Sequence, residues 1–267
     1  MTGPAWDKRI QRAEELAGAY PFAAEVLRFY QQVAGFQKDL YAHIVSASGG
    51  RQLPLSPEKL NLIVLLPRFS LFLSLIQRVG SDLLARLAGE LRAQGDDRWR
   101  HFLTAYWTGD TGDDFLAENP TLFFARAFLQ PYAASLALQT KPGLVDAAPR
   151  ICPVCGRRPQ LGVLRPEGQG AKRSLLCSLC LTEWDYRRLV CPACEEEDID
   201  KLTVYTAPQF AHLRLEACDS CKTYINTVDL TKNGLAVPEV DELAALPLSL
   251  WAQEHGYTKR QPNLLGI

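Results

Sequence analysis

Four Cys-x-x-Cys pairs lie in one stretch of the sequence: Cys152/Cys155, Cys177/Cys180, Cys191/Cys194 and Cys218/Cys221. They are all 8 cysteines of the chain. Two intervening residues let one tight turn present both sulfurs to an ion, and two such turns complete a closed tetrahedral site. Eight thiolates therefore predict two metal sites. In chain order, Cys152, Cys155, Cys177 and Cys180 take the first ion, and Cys191, Cys194, Cys218 and Cys221 the second. Residues 156–176 and 195–217 separate the paired turns, close to the roughly 15–20 residues usual for four-cysteine sites and long enough for a β-hairpin. An interleaved scheme, first turn with third and second with fourth, uses the same residues. Chain order is favoured because each ribbon then closes locally at low entropic cost.

Other uses of paired cysteines fit less well. Disulfides belong to exported chains, and Met1 to Ile10 contains Asp7, Lys8 and Arg9 but no apolar h-region. A thioredoxin-like redox motif needs one pair beside a βαβ unit, whereas here four pairs follow one another. Thiolate-only donors suit Zn and also a single Fe of the rubredoxin kind, so Fe and Zn both remain open. Cys152-Pro153-Val154-Cys155-Gly156 looks like a rubredoxin knuckle, where glycine lets the backbone curl toward sulfur. The other pairs are followed by Leu181, Glu195 and Lys222.

With 267 residues, 47% of them apolar, the chain can bury a proper core over two domains, or over one with an appendage. Phe22, Val26, Phe29, Val33, Phe36, Leu40 and Ile44 draw an apolar stripe down a long helix that starts at Pro21 and stops at Gly49-Gly50. Ser56-Pro57 opens a short helix that ends before Pro67. A second long helix buries Phe72, Leu75, Val79, Leu83, Leu87 and Leu91. Leu60 to Val79 is apolar enough to resemble a membrane span, but Arg68 at its middle would cost at least about 2.5 kcal/mol in a bilayer, and Pro67 interrupts it. A buried helix pair, not a membrane-embedded segment, is the expectation.

Asp96 or Asp97 caps a helix carrying Trp99, Phe102, Leu103, Tyr106 and Trp107; Gly109 to Asp114 is a polar turn. Asn119-Pro120 opens a helix through Leu136 that Pro131 should kink or end. Beyond Arg150 the periodicity turns alternating, with strands expected over 183–190, 202–206, 210–218 and 223–228. A last helix, Asp241 to His255, is broken or bent by Pro247 and stopped by Gly256. The expected fold class is α+β. An all-helical domain spans 1–140 and a linker 141–150; the first four-cysteine ribbon spans 151–190, the second 191–235, and a C-terminal helix and tail 236–267.

Charge bears on partners. Arg150 to Ile267 holds 14 basic and 15 acidic residues. Each four-thiolate site on a divalent ion adds about −2, so a nucleic-acid-binding ribbon, which needs a basic footprint, is disfavoured. Acidic residues concentrate in the second ribbon, and Glu195, Glu196 and Glu197 are candidates for steering a basic partner segment. No catalytic residue is proposed. The sequence lacks a P-loop, H-E-x-x-H, Rossmann glycine pattern and G-x-S-x-G, and His43, His101, His212 and His255 join no recognisable motif.

The helical half with Phe128-Leu129-Gln130-Pro131-Tyr132-Ala133 near its end carries a resemblance to a known family. So do Cys152-Pro153-Val154-Cys155-Gly156, the Trp184 to Arg188 approach to Cys191-Pro192-Ala193-Cys194, Cys218-Asp219-Ser220-Cys221, and the closing Gly256-Tyr257 and Pro262-Asn263. Together they resemble the formate dehydrogenase accessory protein family, the FdhE type, over most of the chain and most clearly from about residue 120. The resemblance implies a non-enzymatic, cytoplasmic chaperone that binds the catalytic subunit of respiratory formate dehydrogenase before export. It also implies two tandem rubredoxin-like folds associated with iron, with the eight cysteines as ligands. The alternative expectations are a rubredoxin-like electron-transfer protein and, less favoured, a nucleic-acid-binding zinc ribbon.

Overall fold

The computed structural model describes residues 5–47, 60–109, 119–139 and 149–266. The N-terminal part forms helices α1 (Trp6–Ala19), α2 (Ala24–Ala47), α3 (Leu62–Val79), α4 (Asp82–Ala93), α5 (Gly95–Thr108) and α6 (Leu122–Ala137). The C-terminal part forms β1 (Pro159–Glu167), β2 (Gly170–Cys177), β3 (Glu183–Asp185), β4 (Leu202–Thr206), β5 (Leu213–Cys218) and β6 (Thr223–Asp229), then α7 (Pro238–Ala244), α8 (Leu246–Glu254) and β7 (Thr258–Lys259). The fold is α+β. The turns expected at Gly49-Gly50, Ser56-Pro57 and 110–114 and most of the 141–150 linker lie outside the described residues.

Helix α6 is the axis of the helical body, because every residue from Leu122 to Ala137 is buried. Aromatic rings surround it: Phe128 lies 4.8 Å from Phe69 and 5.9 Å from Phe72, and Phe123 lies 5.8 Å from Phe29. Such pairs add about 0.5–1.5 kcal/mol each beyond the area they bury. Helix α2 packs between α1 and α6, so its buried arc is wider than one stripe and is rotated from the expected one. Leu27, Tyr30, Ala34 and Gln37 join Val33, Leu40 and Ile44 inside, while Phe22 is 55% exposed. Helix α1, absent from the sequence expectation, buries Trp6, Arg9, Ala13, Leu16 and Ala17. Its arginines explain the omission: Arg9 pairs with Glu239 and Arg12 with Asp241, so charges sit on the face that packs on α7.

Pro67 and Pro131 both lie inside continuous helices, so neither ends one. Pro67 lies within α3 on an exposed position. It removes only the bond to the carbonyl of Ile63, a residue 86% exposed, which water can serve. The break comes instead at Gly80, where a Cβ would lie 2.7 Å from the Ile76 carbonyl oxygen, and Ser81 caps α4 by accepting from the Leu84 N–H. The expected stripe through Leu91 is therefore split; Leu83 is exposed, and Ala88 and Leu91 are buried. Helix α3 is long and apolar enough to cross a membrane, yet Leu65, Leu66, Phe69, Phe72, Leu73 and Ile76 are buried in the protein core.

Pro131 in α6 leaves the Ala127 carbonyl without its helical donor. Gln37 of α2 replaces that donor: its Nε2 donates to the Ala127 oxygen at 2.7 Å and to Gln130 Oε1 at 3.1 Å. Gln37→Leu would strand a buried carbonyl and cost about 1–3 kcal/mol, read as a fall in denaturation midpoint. Adding Pro131→Ala should restore an N–H and recover part of the loss.

The two ribbons are not separate hairpins but one seven-stranded sheet of order β3-β2-β1-β6-β5-β4, with β7 on β6. They join where β1 pairs in parallel with β6 through Gly162↔Thr227, Val163↔Val228 and Leu164↔Asp229. Gly162 permits this approach, since a Cβ there would run into the Thr227 hydroxyl. The expected strand over 183–190 is confined to β3, Phe210 lies in a 3-10 turn before β5, and the last helix divides at Ala245 into α7 and α8. One core runs from the helical body into the first ribbon through Leu175, Cys177, Leu179, Cys180 and Trp184. A second core packs Leu213, Leu215, Tyr224 and Val228 against Leu248 and Ala252 of α8.

Candidate metal centres

Each Cys-x-x-Cys pair sits on a turn, the second at the end of β2 and the fourth between β5 and β6, and the turns group in chain order. Cys152, Cys155, Cys177 and Cys180 form one cluster; Cys191, Cys194, Cys218 and Cys221 form the other. Within each, the sulfurs all lie within 4.8 Å of one another. Cross-turn separations are 3.5 Å (Cys152–Cys180), 3.3 Å (Cys155–Cys177), and 3.7 Å for both Cys191–Cys221 and Cys194–Cys218. Four sulfurs each about 2.3 Å from a tetrahedral ion would be about 3.8 Å apart, so each cluster can hold a metal ion. All eight cysteines are free of disulfides.

The knuckles share a backbone device. Gly156, Leu181, Glu195 and Lys222, the residues after each second cysteine, have φ of 72°, 60°, 64° and 55°. Among the described residues no other non-glycine has positive φ. This left-handed turn brings the N–H of Gly156, Glu195 and Lys222 to the first cysteine's carbonyl at 2.9, 3.0 and 2.9 Å. The N–H groups of Val154, Leu179 and Ala193 each point at the first sulfur of their turn at 3.4 Å. The three missing glycines thus leave the turn shape intact, at a cost of about 1–2 kcal/mol per L-residue held there. Leu181→Gly should raise stability by up to about 1 kcal/mol, and Gly156→Ala should lower it by about 1 kcal/mol, since a Cβ at Gly156 meets no atom and only the backbone is strained. Denaturation of the two metal-loaded variants should show these opposite signs.

Hydroxyls complete the second turn of each cluster: Thr182 Oγ1 lies 3.1 Å from Cys180 Sγ, and Thr223 Oγ1 lies 2.9 Å from Cys221 Sγ. The local sequence repeats, Cys-Pro-x-Cys at 152 and 191 and Cys-x-x-Cys-x-Thr at 177 and 218. That repeat was the signal by which the threonines could have been found.

The clusters differ in setting. In the first, Cys152, Cys177 and Cys180 are buried and belong to the main core. Helix α6 grips its second turn, with Arg126 Nε and Gln130 Nε2 donating to the Ser178 carbonyl at 3.3 and 3.2 Å. Arg157, following the first turn, donates to the Tyr106 and Trp107 carbonyls at the end of α5 and stacks on Tyr106. In the second cluster Cys194 is exposed and Cys221 half-buried. Burial pushes the Cys177 thiol up, and the Cys191 thiol up to about 12. Such thiols keep their protons until a cation displaces them, so metal uptake releases protons.

The acidic run serves this second cluster. Glu195 lies 3.5 Å from Arg150, whose Nη1 donates to the Ala193 carbonyl, and Glu197 pairs with Arg187 at 2.7 Å. Glu196 accepts from Ser220 Oγ, inside the fourth turn, at 2.5 Å and from the N–H groups of Glu197 and Asp198. These bonds, the Ser220 hydroxyl foremost, hold its carboxyl down at about 2. His212 Nε2 donates to Asp241 Oδ1 at 2.8 Å, and His255 stacks on Trp251; neither joins a cysteine cluster.

Two clusters whose donors are all thiolates, carried on one fused sheet and locked to a helical body, define a two-centre cysteine-ribbon protein. The profile "FdhE, central domain" matches residues 151–188, and "FdhE, C-terminal domain" matches residues 189–265. An FdhE homolog of Aquifex aeolicus is 25% identical, with 96% of this chain and 94% of that protein aligned. FdhE of Escherichia coli K12 is 25% identical over 97% of this chain and 86% of its own length. The crystal structure of the FdhE protein from Pseudomonas aeruginosa superposes with a TM-score of 0.76 at 26% identity, covering 99% of this chain and 97% of that one. The chain is thus similar to FdhE proteins along nearly its whole length, and its residues 151–265 carry the two FdhE domain patterns.

Proposed function

We propose that this protein is a cytoplasmic accessory factor for the maturation of respiratory formate dehydrogenase, holding the catalytic subunit before export. The eight cysteines are its ligands for two ions, Fe or Zn. The observation that carries the reading is the pair of closed donor sets: four thiolates fill a tetrahedral ion, leaving no position for a substrate, so the centres rigidify a recognition surface. The likeness to FdhE proteins is consistent with an accessory protein. The domain division at 140/150 and 190/191 is part of the proposal, with the first ribbon acting as one unit with the helices.

The test is a pull-down of the formate dehydrogenase catalytic subunit by the metal-loaded chain, with Cys-to-Ser pairs at each centre as controls. Retention lost with the ribbons supports the reading; no retention by folded, loaded protein removes it. Steering of a basic segment by Glu195, Glu196 and Glu197 must compete with their ion pairs within the chain. If they steer, neutralising Glu195 and Glu197 together lowers the association rate and its salt dependence. Electron transfer is the second reading, favoured by the exposed Cys194 of the second centre. It requires iron with a reversible visible spectrum, and a colourless zinc protein eliminates it.

A further inference from the structure

Beside the second centre a cleft of about 260 Å³ opens between the connection running to Cys191 and the sheet face that carries Val204, Glu216 and Ile225. The opposite face, with Leu213 and Leu215, is the one packed on α8. Four arginines line the cleft, Arg173, Arg188, Arg214 and Arg260, against one carboxylate, Glu216. Glu216 is fully engaged: Arg173 Nη2 and Arg214 Nη2 each reach it at 2.6 Å. Burial would raise its carboxyl, but the two guanidinium groups hold it below the usual range. Arg173 also donates to the Arg187 carbonyl at 2.9 Å.

Arg188 and Arg260 have no such partners. Among the described residues neither side chain makes a hydrogen bond or ion pair, and the Nε of Arg260 is buried with its N–H unanswered. A half-buried guanidinium left this way is costly, and an external anion would satisfy it. The second centre, at about −2 with a divalent ion, does not reverse the sign of a wall holding four guanidinium groups and one carboxylate. The rim is apolar, with Leu189 58% exposed and Val204 51% exposed. Strand β4 ends the sheet, so among the described residues no further strand closes that side. A bare inorganic anion would use the arginines and ignore Leu189 and Val204. A peptide with a carboxylate beside an apolar side chain uses all four.

We propose that this cleft docks an acidic, partly apolar peptide segment of a protein partner, its carboxylate on Arg188 and Arg260 and its apolar neighbour on Leu189 and Val204. The identity of the partner rests on the accessory role proposed above; the docking chemistry does not.

The test uses the full metal-loaded chain and two fluorescein-labelled hexapeptides, one alternating Leu and Glu, the other Leu and Gln, titrated by anisotropy. The Glu peptide should bind at least roughly tenfold tighter than the Gln peptide, and Arg260→Met or Arg188→Gln should each weaken it by roughly tenfold. Leu189→Ala with Val204→Ala should weaken both peptides. Arg188 is exposed, so its substitution leaves folding intact, and metal content with far-UV circular dichroism checks the Arg260 variant. Equal binding of the two peptides, or unchanged affinity in the folded Arg260→Met chain, overturns the proposal. Displacement by inorganic phosphate together with indifference to the Leu189/Val204 change would mark a simple anion site and also overturn it. Peptide binding without retention of the catalytic subunit leaves the cleft standing and removes the partner. Retention unaltered by both arginine changes keeps the accessory role and removes the cleft from it.

Discussion

Replacing Arg126 by alanine is expected to lower the unfolding free energy by more than about 3 kcal/mol and to loosen the first metal centre while sparing the second. The side chain is 1% exposed on α6. Its Nη1 donates to the Pro262 and Asn263 carbonyls at 2.7 and 2.8 Å, its Nη2 to Gln160 Oε1 at 3.0 Å, and its Nε to the Ser178 carbonyl at 3.3 Å. One guanidinium thus ties the axial helix to the C-terminal tail, to β1 and to the turn between Cys177 and Cys180. Truncation removes a donor from each of these acceptors, leaving the Ser178 carbonyl to Gln130 and the Asn263 carbonyl to the Gly266 N–H, and opens a cavity where the long stem packed. Arg126→Lys should not rescue the loss, because an ammonium lacks the planar fork that reaches all four acceptors. Denaturant midpoints give the stability change, and competition with a chelator gives metal release. Faster release confined to one of the two ions is the expected result; unchanged release would show that the grip on Ser178 does not hold the centre.

The cysteine centres were legible because their information is local: Cys-x-x-Cys is a turn with two ligands, and chain order is the cheaper closure. Strands β4 to β6 were legible for a related reason, since Leu213, Leu215 and Ala217 alternate with Arg214 and Glu216 over a sheet with distinct faces. What was not legible depends on partners distant in sequence. Pro131 predicts an interruption until Gln37, on another helix, supplies the missing donor to Ala127. The left-handed turns at Leu181, Glu195 and Lys222 run against residue preference and persist because the surrounding knuckle imposes them. Fusion of the two ribbons rests on one glycine, Gly162, whose absent side chain carries no periodic signal. The cleft arginines come from β2, β5 and the segments that follow β3 and β7, and only the fold brings them to one wall.

Cys177→Ser and Cys194→Ser should separate the two centres by what each supports. Cys177 is wholly buried in the core shared with the helical body. Removing its thiolate weakens an ion whose binding is worth on the order of 10 kcal/mol, comparable to the 5–15 kcal/mol net stability of a whole domain. The ion also fixes the turn that Arg126 and Gln130 hold, so its loss should propagate into α6 and reduce helicity throughout the body. Cys194 is exposed, and its turn lies outside the cores packed on α6 and α8. Its loss should release the second ion and disorder the tips of β4 and β5, while Leu213, Leu215, Tyr224 and Val228 keep the sheet on α8. Metal analysis with far-UV circular dichroism reads both: one ion retained in each variant, helical signal collapsed in Cys177→Ser and kept in Cys194→Ser. Equal helical signal in the two would mean that the body folds without its buried centre. The metal would then shape only the recognition face, and the shared core would be a consequence of folding and not its condition.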